Sequence, residues 1–331
     1  MEYNSSRIRR LKSENKQKYD ISSKDFFPKW YIDRLFNMGC FTKTVMKQND
    51  EAVQIGDNDS GRLIKLTPSG DADKDNVINH SGLLSSMGGF FRKSVFDQYS
   101  ERFPLEASLI RGLSGNISLK GKKYEQKVRC ENRQKYDFNQ YQYSEETVLF
   151  EDHEMNNLLT GLTVQYFEKF GVLIFRSERV FFSLVIDTTR HTSLTGHTHN
   201  DKLSIELMVD GNYIARDPGG YVYTAAPEIR NIFRGTKAHN TIYVKGIEQN
   251  SFNGVFGMKK QSKAYLLECT REKVAARENY AGIDHIREIL FTESKIKVKD
   301  YANKPFSVDF RNSFYSTGYG KMRGKIKYDS E

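Results

Sequence analysis

The sequence predicts an α+β chain in which helices precede an antiparallel β domain. Apolar residues recur at helical spacing within 26–48, 78–99 and 103–113. From about residue 170 onward, runs of β-branched and aromatic residues alternate with turn residues, as they do in antiparallel strands. Because the helices are grouped before the strands, the pattern indicates two layers of different class rather than an alternating α/β chain.

Helical spacing is clear near the N-terminus, at Trp30, Ile32, Leu35 and Phe36. Glycine, aspartate and asparagine then dominate 54–76, which predicts a loop before the next helix. The residues that precede this first helix are polar and predict a frayed end.

A mostly polar stretch, 115–147, separates the helices from the strands and predicts a linker or an exposed extension. After it, the texture of the sequence changes to that of strands. We therefore divide the chain into a helical region at 1–114, a polar linker at 115–150 and an antiparallel β domain at 151–331.

The strand pattern is regular at Leu203, Ile205, Leu207 and Val209, which alternate with other residues. The Asp-Gly pair at 210–211 follows at once and predicts a tight hairpin. Similar strand-like runs continue to the C-terminus.

Composition limits the class of partner without choosing one. The formal net charge of +9 predicts a surface that attracts nucleic acid, acidic lipid or acidic polysaccharide. The three cysteines lie far apart and predict neither a zinc–thiolate site nor a disulfide framework. No stretch approaches the ~20 apolar residues of a membrane span, and no secretory signal is visible. Localisation stays open between periplasm and cytoplasm.

Two histidines one residue apart, His197 and His199, precede the predicted strand. If the strand extends through them, their rings share a face ~6–7 Å apart and can converge on one ion or substrate. Asp217 and His239 complete a set that suits zinc and that manganese or nickel would also accept. The plainer interpretation is a pair of polar residues at the mouth of a strand.

The hairpin register tests this metal hypothesis. With a plain two-residue turn, Asp217 pairs with Ser204, on the face opposite His199. A three-residue loop or a β-bulge moves Asp217 opposite Ile205, on the histidine face. The metal hypothesis therefore requires the longer loop or the bulge.

The metallo-β-lactamase motif H-x-H-x-D-H is a competing hydrolase interpretation. His197, His199 and Asp201 match it. Lys202 occupies the position of the closing histidine, where its charge would repel a second metal. We therefore reject this interpretation.

The block 196–249, with "GHTHND", "RDPGGY" and "KAHNT", resembles the signature of the heparinase II/III-like polysaccharide lyases. Similar elements stand at 55–66 ("IGDNDSGRLIKL"), at 170–187 ("FGVLIFRSERVFFSLVID") and at 316–320 ("STGYG"). This resemblance implies the end of an (α/α) toroid followed by an antiparallel β-sandwich, with an active-site cleft between them.

The resemblance also implies one zinc site and a set of functional residues. We expect the metal chiefly to hold loops of the β domain in place, and Asp201 to orient a neighbour. The implied residues are His197 and Tyr221 as catalytic, His199, Asp217 and His239 as metal ligands, and Arg230, Arg234 and Asn240 as substrate-binding.

The activity that the resemblance implies is β-elimination on a uronic acid of an acidic polysaccharide. A base removes the proton α to the carboxylate, and the glycosidic oxygen leaves from the neighbouring carbon. Positive charge or hydrogen-bond donors stabilise the enolate, and a histidine or tyrosine handles the proton.

The helical region is short for a toroid of this family, because its late-toroid element starts already at residue 55. We expect the upstream helices to lie in a longer reading frame or a separate partner chain. An exposed apolar face on the described helices would favour this expectation. The alternative is a carbohydrate-binding remnant, or a fragment of a protein that processes surface polysaccharide.

Nucleic-acid binding is the other class of function considered. Tyrosine and lysine interleave in 121–143, a pattern that could stack bases and neutralise phosphates. A solvated linker accounts for the same composition, so acidic polysaccharide is the expected partner.

Overall fold

The structure, a computed structural model, divides the chain into a helical unit and a β unit. The expected frayed end and most of the 54–76 loop lie outside the described residues. The described residues are 27–57, 77–114, 121–123, 136–154, 157–188 and 196–326. Of these, 27–43, 80–114 and 121–123 belong to the helical unit, and 44–57, 77–79 and 136–326 belong to the β unit.

Helices form where the apolar spacing predicts them. Within the described residues, none is long and apolar enough to cross a membrane. A proline occupies the first turn of the last helix before the β unit, where its missing N–H costs nothing. The helices are α1 (Lys29–Val45), α2 (Ser81–Phe91), α3 (Asp97–Arg102) and α4 (Pro104–Leu113).

Three phenylalanines form the core of the helical unit. The Phe36 ring contacts Phe91 and Phe96 edge to face, with ring centroids 5.1 and 5.8 Å apart. Gly39 lies against this cluster, because a Cβ there would come within 2.9 Å of the Phe96 ring. The close approach of α1 to Phe96 therefore requires glycine.

One face of α4 stays exposed. Leu105, Leu109 and Leu113 recur every four residues and therefore share one side of the helix, with exposed fractions of 59%, 41% and 76%. Exposed leucines in a stripe are unusual for a surface that only water covers. This leucine stripe is the apolar face that favours additional helical structure.

The β unit contains two antiparallel sheets of five strands each, counted over the described residues, and three two-stranded hairpins or pairs. The first sheet has the order β2-β3-β4-β5-β6, and the second has the order β1-β13-β12-β11-β10. The bounds are β1 Tyr143–Glu151, β2 Thr163–Phe167, β3 Val172–Arg176, β4 Val180–Val185, β5 Ile205–Val209, β6 Asn212–Ala215, β7 Ile242–Tyr243, β8 Phe252–Asn253, β9 Gly257–Met258, β10 Lys263–Cys269, β11 Lys273–Tyr280, β12 Ile283–Phe291, β13 Lys295–Ala302, β14 Ser307–Val308, β15 Phe314–Gly318 and β16 Lys321–Gly324, with helix α5 at Pro227–Arg234.

The two sheets face each other across one hydrophobic core. Phe175 and Phe182 of the first sheet contact Phe291 of the second, with ring centroids 4.5 and 5.2 Å apart. Such a core between two antiparallel sheets is a β-sandwich. The predicted α+β class with an antiparallel sandwich is therefore confirmed.

Part of the predicted linker is a strand. Residues Tyr143–Glu151 form β1 and pair with β13 along their whole length. Most of its side chains are exposed, because β1 is an edge strand of the second sheet. Its polar composition therefore resembled a linker, although one side of the strand is paired with β13.

The described aromatic residues of the 121–143 stretch are packed on the second sheet. Phe138 stacks on Tyr301 at 4.0 Å between ring centroids. The hydroxyl groups of Tyr136 and Tyr141 donate to Glu268 and to Asp284. Burial raises the pKa of each tyrosine to about 12. These rings are therefore part of the fold rather than free to stack on bases; 124–135 lies outside the described residues.

Strand β5 is buried on both faces. Ile205 and Leu207 point into the sandwich core, and Glu206 points to the opposite face. There the Glu206 carboxylate accepts the Lys47 ammonium at 2.6 Å and the backbone N–H of Gln54 at 2.6 Å. A buried ion pair with a further hydrogen bond fixes the segment 44–57 on the outer face of the first sheet.

Candidate functional site

Asp57 is the last described residue of the segment 44–57. Its carboxylate binds three of the residues that the sequence predicts to be functional. Both terminal nitrogens of Arg230 donate to it at 2.6 Å. His197 contacts it through Nδ1 at 2.9 Å, and His199 through Nε2 at 3.0 Å. The Asp57 side chain is 2% exposed. A single buried carboxylate therefore holds residues from two distant parts of the chain.

The protonation state of Asp57 determines the roles of both histidines. Burial alone would raise its pKa, but hydrogen bonds from His199 and Arg230, with their charges, hold that pKa well below the usual range. An ionised carboxylate only accepts hydrogen bonds. The nitrogens that donate to it are therefore His197 Nδ1 and His199 Nε2.

His197 presents its ring to solvent. Its side chain is 61% exposed, and its φ of 64° is a left-handed conformation. Backbone hydrogen bonds fix it from both sides, because its N–H donates to Phe256 O and its carbonyl accepts from the N–H of Asp57. Because Nδ1 faces Asp57, Nε2 is the ring nitrogen left at the surface, where a general base needs its proton acceptor.

Gly56 is required for this arrangement. Its φ is +64°, and a Cβ at this position would lie 2.4 Å from the carbonyl oxygen of His197. Only glycine leaves room for the backbone of Asp57 to bond to that oxygen.

The expected strand through the two histidines is wrong. Strand β5 begins only at Ile205, and His197 and Leu203 both have positive φ. Left-handed residues interrupt an extended run. The His197 ring is consequently exposed and the His199 ring buried, and the two meet at Asp57 instead of on one strand face.

The β5–β6 hairpin contains the β-bulge that the metal hypothesis requires. Val209 pairs with Asn212 across a two-residue turn, but Leu207 pairs with Ala215. Continued along the hairpin, the one-residue shift puts Asp217 in register with Ile205 rather than with Ser204. Asp217 Oδ2 then accepts a hydrogen bond from His239 Nδ1 at 2.7 Å.

Two buried imidazoles lie side by side in this site. The ring centroids of His199 and His239 are 5.3 Å apart. Each ring is held by a carboxylate through one nitrogen, and the other nitrogen, Nδ1 of His199 or Nε2 of His239, has no hydrogen-bond partner. Asp201 is also buried, and its Oδ1 has no partner. Three unsatisfied polar atoms in one buried region indicate a missing cation or solvent.

The charges around His239 favour a cation. Burial alone would lower its pKa, but Asp217, Asp201 and Glu248 raise it above the ordinary value. Burial raises the pKa of Asp201, whereas the neighbouring histidines and the Gly219 N–H outweigh burial and lower the pKa of Asp217. The net field attracts positive charge, as a proton on His239 or as a metal ion.

The donor set suits zinc in chemistry and in ring spacing. A zinc ion at ~2.0–2.1 Å from one nitrogen of each ring, at a tetrahedral angle, would separate the centroids by roughly 5 Å. No three His, Cys, Asp or Glu side chains among the described residues, however, are grouped closely enough to hold a metal. Both carboxylate oxygens of Asp217 already accept hydrogen bonds, one from His239 and one from the N–H of Gly219. Its assignment as a ligand stays a prediction.

The arginines expected to bind substrate belong to helix α5. A proline and Glu228 stand in its first turn and Arg234 in its last, as the helix dipole favours. Arg230 and Arg234 lie one turn apart on its buried face. Arg230 bonds to Asp57 and to Val255 O, and Arg234 donates to Asn231 Oδ1, Gly254 O and Gly257 O. Both guanidinium groups therefore bind the protein itself.

Asn240 is buried, and Tyr221 is half-buried. The Asn240 amide donates to Ile205 O and to Arg216 O at 2.8 and 3.0 Å. The Tyr221 ring packs near Phe233, with centroids 5.5 Å apart. Asn240 thus joins backbone segments within the site, and the predicted substrate contacts of both residues stay predictions.

Arg287 of β12 joins the two histidine-bearing segments. It is fully buried and makes a bidentate contact with Asp300 at 2.8 Å. Its Nη1 donates to Leu203 O at 2.6 Å and to Asn240 O. The backbone after His199 and the backbone after His239 therefore share one guanidinium.

Comparison with known proteins gives a family for most of the β unit. Residues 160–316 match the profile of the family described as heparinase II/III-like, C-terminal. No curated protein matches the chain in sequence.

Solved structures that align with the chain include heparan sulfate lyase HepC from Pedobacter heparinus. The alignment covers 80% of this chain and 31% of that one, at 14% identity and a TM-score of 0.42. A heparinase III aligns over 81% of this chain and 32% of its own length, at 15% identity and a TM-score of 0.44. The chain spans about a third of the length of these structures.

The Gly56→Ala variant should destabilise the β unit by about 2–4 kcal/mol, through a left-handed alanine and a contact with the His197 carbonyl. Gly161→Ala is the matched control, since Gly161 has a similar φ and nothing within 4 Å of its added Cβ. That variant should lose only about 1 kcal/mol. Urea unfolding measures both; equal losses would contradict the close approach.

Acid should remove the contribution of the ionised Asp300 carboxylate to the free energy of unfolding. Burial would raise its pKa, but Arg287 and His285 lower it to about 2. A lowered pKa stabilises the fold above the unfolded value of 3.8 and loses that effect as pH falls towards 2. Between roughly pH 5 and pH 2, wild type should lose about 2 kcal/mol that Asp300→Asn does not lose. Identical acid profiles in urea unfolding would contradict this prediction.

Proposed function

Residues 160–316 belong to the heparinase II/III-like C-terminal family, and on that premise we propose that this chain cleaves acidic polysaccharide by β-elimination. The observation that carries the proposal is the exposed ring of His197, whose Nδ1 donates to the buried carboxylate of Asp57. That hydrogen bond leaves Nε2 as the proton acceptor at the surface.

In the proposed reaction, Nε2 of His197 takes the proton α to the carboxylate of a uronic acid. The electrons of that C–H bond form a carbon–carbon double bond, and the glycosidic C–O bond on the neighbouring carbon breaks. The leaving oxygen takes up a proton from a general acid, for which Tyr221 is the candidate. General acid–base catalysis of this kind contributes typically about 100- to 10,000-fold to the rate.

Asp57 contributes by orientation and charge. Because it holds the hydrogen on Nδ1, the His197 ring cannot adopt the tautomer in which Nε2 is protonated. When His197 becomes a cation after proton transfer, the same carboxylate stabilises it. Arg230 keeps Asp57 ionised, so its role in the proposal is to support the base and not to bind the substrate.

We also propose one zinc ion at His199 and His239, with Asp217 as the expected third ligand. The unsatisfied nitrogens of the two rings support the site, and the free Oδ1 of Asp201 makes it a second carboxylate candidate. A bound zinc would supply positive charge and a rigid link between the two histidine-bearing segments. His199 reaches both this site and Asp57, so the metal would also steady the base.

The leucine stripe of α4 supports a further part of the proposal, that more helical structure completes the helical unit. Leu113, at 76% exposed, is the kind of residue that a neighbouring helix covers. The additional helices would contribute the catalytic groups that toroid helices carry in this family.

A carbohydrate-binding protein without turnover is the alternative. The guanidinium groups of Arg230 and Arg234 favour it, since each already uses three of its five N–H donors within the protein. Activity assays separate the two functions.

The His197→Ala variant should lose lyase activity by at least about 100-fold, because Nε2 is the proposed base. The measurement is the ultraviolet absorbance of unsaturated uronate ends, with heparan sulfate and an unsulfated uronate polymer as substrates. His153→Ala is the control, because His153 is an exposed histidine of a β1–β2 turn. Equal rates in the two variants would contradict the role of His197, and wild-type binding without product would favour the alternative.

Purified chain should contain about one zinc, and His199→Ala and His239→Ala should each lose it. Elemental analysis of the protein measures the metal, with His153→Ala as the variant that should retain it. Circular dichroism establishes that each variant is folded. Zinc-free wild type, or zinc that persists in both ligand variants, would contradict the site.

A further inference from the structure

Two aromatic side chains lie against His197, and a third packs on one of them, each from a separate loop. Phe256 lies 5.0 Å from its ring and Tyr223 lies 6.1 Å from it, measured between centroids. Tyr223 also contacts Phe256 at 5.6 Å and Tyr319 at 5.1 Å. Phe256 is at the β8–β9 turn, Tyr319 is at the β15–β16 turn, and Tyr223 lies between β6 and α5. We call these three side chains the aromatic platform.

The ion pair that positions His197 also positions the platform. The guanidinium of Arg230 lies 4.8 Å from the Tyr223 ring centroid and 5.1 Å from that of Phe256. Because Asp57 fixes this guanidinium at 2.6 Å through two nitrogens, both rings pack against an immobile partner. Two of the three rings of the aromatic platform are therefore held by the guanidinium that also binds Asp57.

The outer member of the platform is open to solvent. Tyr319 is 46% exposed, and it stands in a tight turn where no core packing needs a large ring. Phe256 and Tyr223 are half-buried. Exposed aromatic rings grouped beside a functional side chain mark a binding surface, and a ring face suits the apolar C–H face of a pyranose.

The two loops that carry Phe256 and Tyr319 have only positive charge. Residues 251–261 and 315–325 contain no aspartate or glutamate. The cations stand at or next to the turns of Phe256 and Tyr319, and all except one are exposed: Lys259, Lys260, Lys321, Arg323 and Lys325. Such a surface attracts carboxylate or sulfate groups and gives a neutral sugar no comparable advantage.

We propose that Tyr223, Phe256 and Tyr319 bind one sugar ring of an acidic polysaccharide by stacking, next to the unit on which His197 acts. The lysines and the arginine of the two hairpins bind the acidic groups of that ring and its neighbours. The position beside His197 rests on the proposed function, whereas the stacking and the charge preference are properties of binding alone.

The test is the affinity of the full chain for a heparin-derived tetrasaccharide, measured by calorimetry at physiological ionic strength. Tyr319→Ala should weaken binding by about 10-fold, equivalent to about 1.4 kcal/mol. Tyr319→Phe should stay within about 2-fold of wild type, because stacking needs the ring and not the hydroxyl. Tyr143→Ala, which removes an exposed tyrosine from β1, should bind as wild type does.

Several results would overturn the proposal. They are an unchanged affinity in Tyr319→Ala, a loss in Tyr319→Phe as large as in Tyr319→Ala, and equal affinity of wild type for a neutral tetrasaccharide. The absence of measurable binding by wild type would do the same. Tyr319 lies in an exposed turn, so its variants should remain folded, which circular dichroism checks.

The His197→Ala variant separates this proposal from the proposed function. It should form no unsaturated product while its binding of the tetrasaccharide remains measurable. If wild type and every variant lack lyase activity while Tyr319→Ala binds more weakly than wild type, the result supports the aromatic platform and contradicts the proposed reaction. If Tyr319→Ala binds as tightly as wild type while only His197→Ala is inactive, the result supports the proposed reaction and contradicts the aromatic platform.

Discussion

The bidentate ion pair between Asp57 and Arg230 is the interaction on which the rest of the site depends. It keeps a buried carboxylate ionised, and that charge sets the hydrogen positions of His197 and His199. Desolvating two ions costs several kcal/mol unless their hydrogen bonds are satisfied. Here all polar atoms of the carboxylate are used, and the guanidinium also supports two aromatic rings. One pair thus positions the proposed base, one ring of the proposed metal site and two rings of the proposed binding surface.

The fold brings Asp57 to this place through the outer face of the first sheet. Glu206 is a buried charge on the outer face of β5. Its carboxylate is neutralised because it accepts hydrogen bonds from Lys47 and from the N–H of Gln54. The segment that these contacts fix runs directly to Gly56 and Asp57. On the other side of β5, Arg287 bonds to the backbone after each buried histidine. The site is therefore held from both sheets, and its geometry is a property of the whole β-sandwich.

The sequence predicted much of this architecture but few of the hydrogen bonds and ion pairs that connect the site residues. Helix α1 and the hairpin at 210–211 follow from periodicity and turn chemistry, which are local rules. Asp57 was overlooked, because a Gly-Asp pair in a loop reads only as turn chemistry and its partners lie 140 to 173 residues away. Arg230 was assigned to the substrate for the same reason. A sequence shows charge and spacing, but not which buried charge neutralises another.

The strand expected through His197 was wrong for a related reason. Alternation of apolar residues from Leu203 onward describes β5 correctly, but it does not reveal where the extended backbone begins. The left-handed conformations of His197 and Leu203 depend on hydrogen bonds with Asp57 and Val185, which are distant in sequence. Strand β1 was not predicted, because an exposed edge strand has the polar composition of a linker.

The most direct measurement of the central claim is the tautomer of His197, from long-range proton–nitrogen correlation NMR of the imidazole rings near neutral pH. With Asp57 as an ionised acceptor, wild type should show the hydrogen on Nδ1 and a lone pair on Nε2. Asp57→Asn should shift the ring towards the Nε2–H tautomer, since an amide can donate to Nδ1. A wild-type ring with its hydrogen on Nε2, or a tautomer that Asp57→Asn leaves unchanged, would contradict the account.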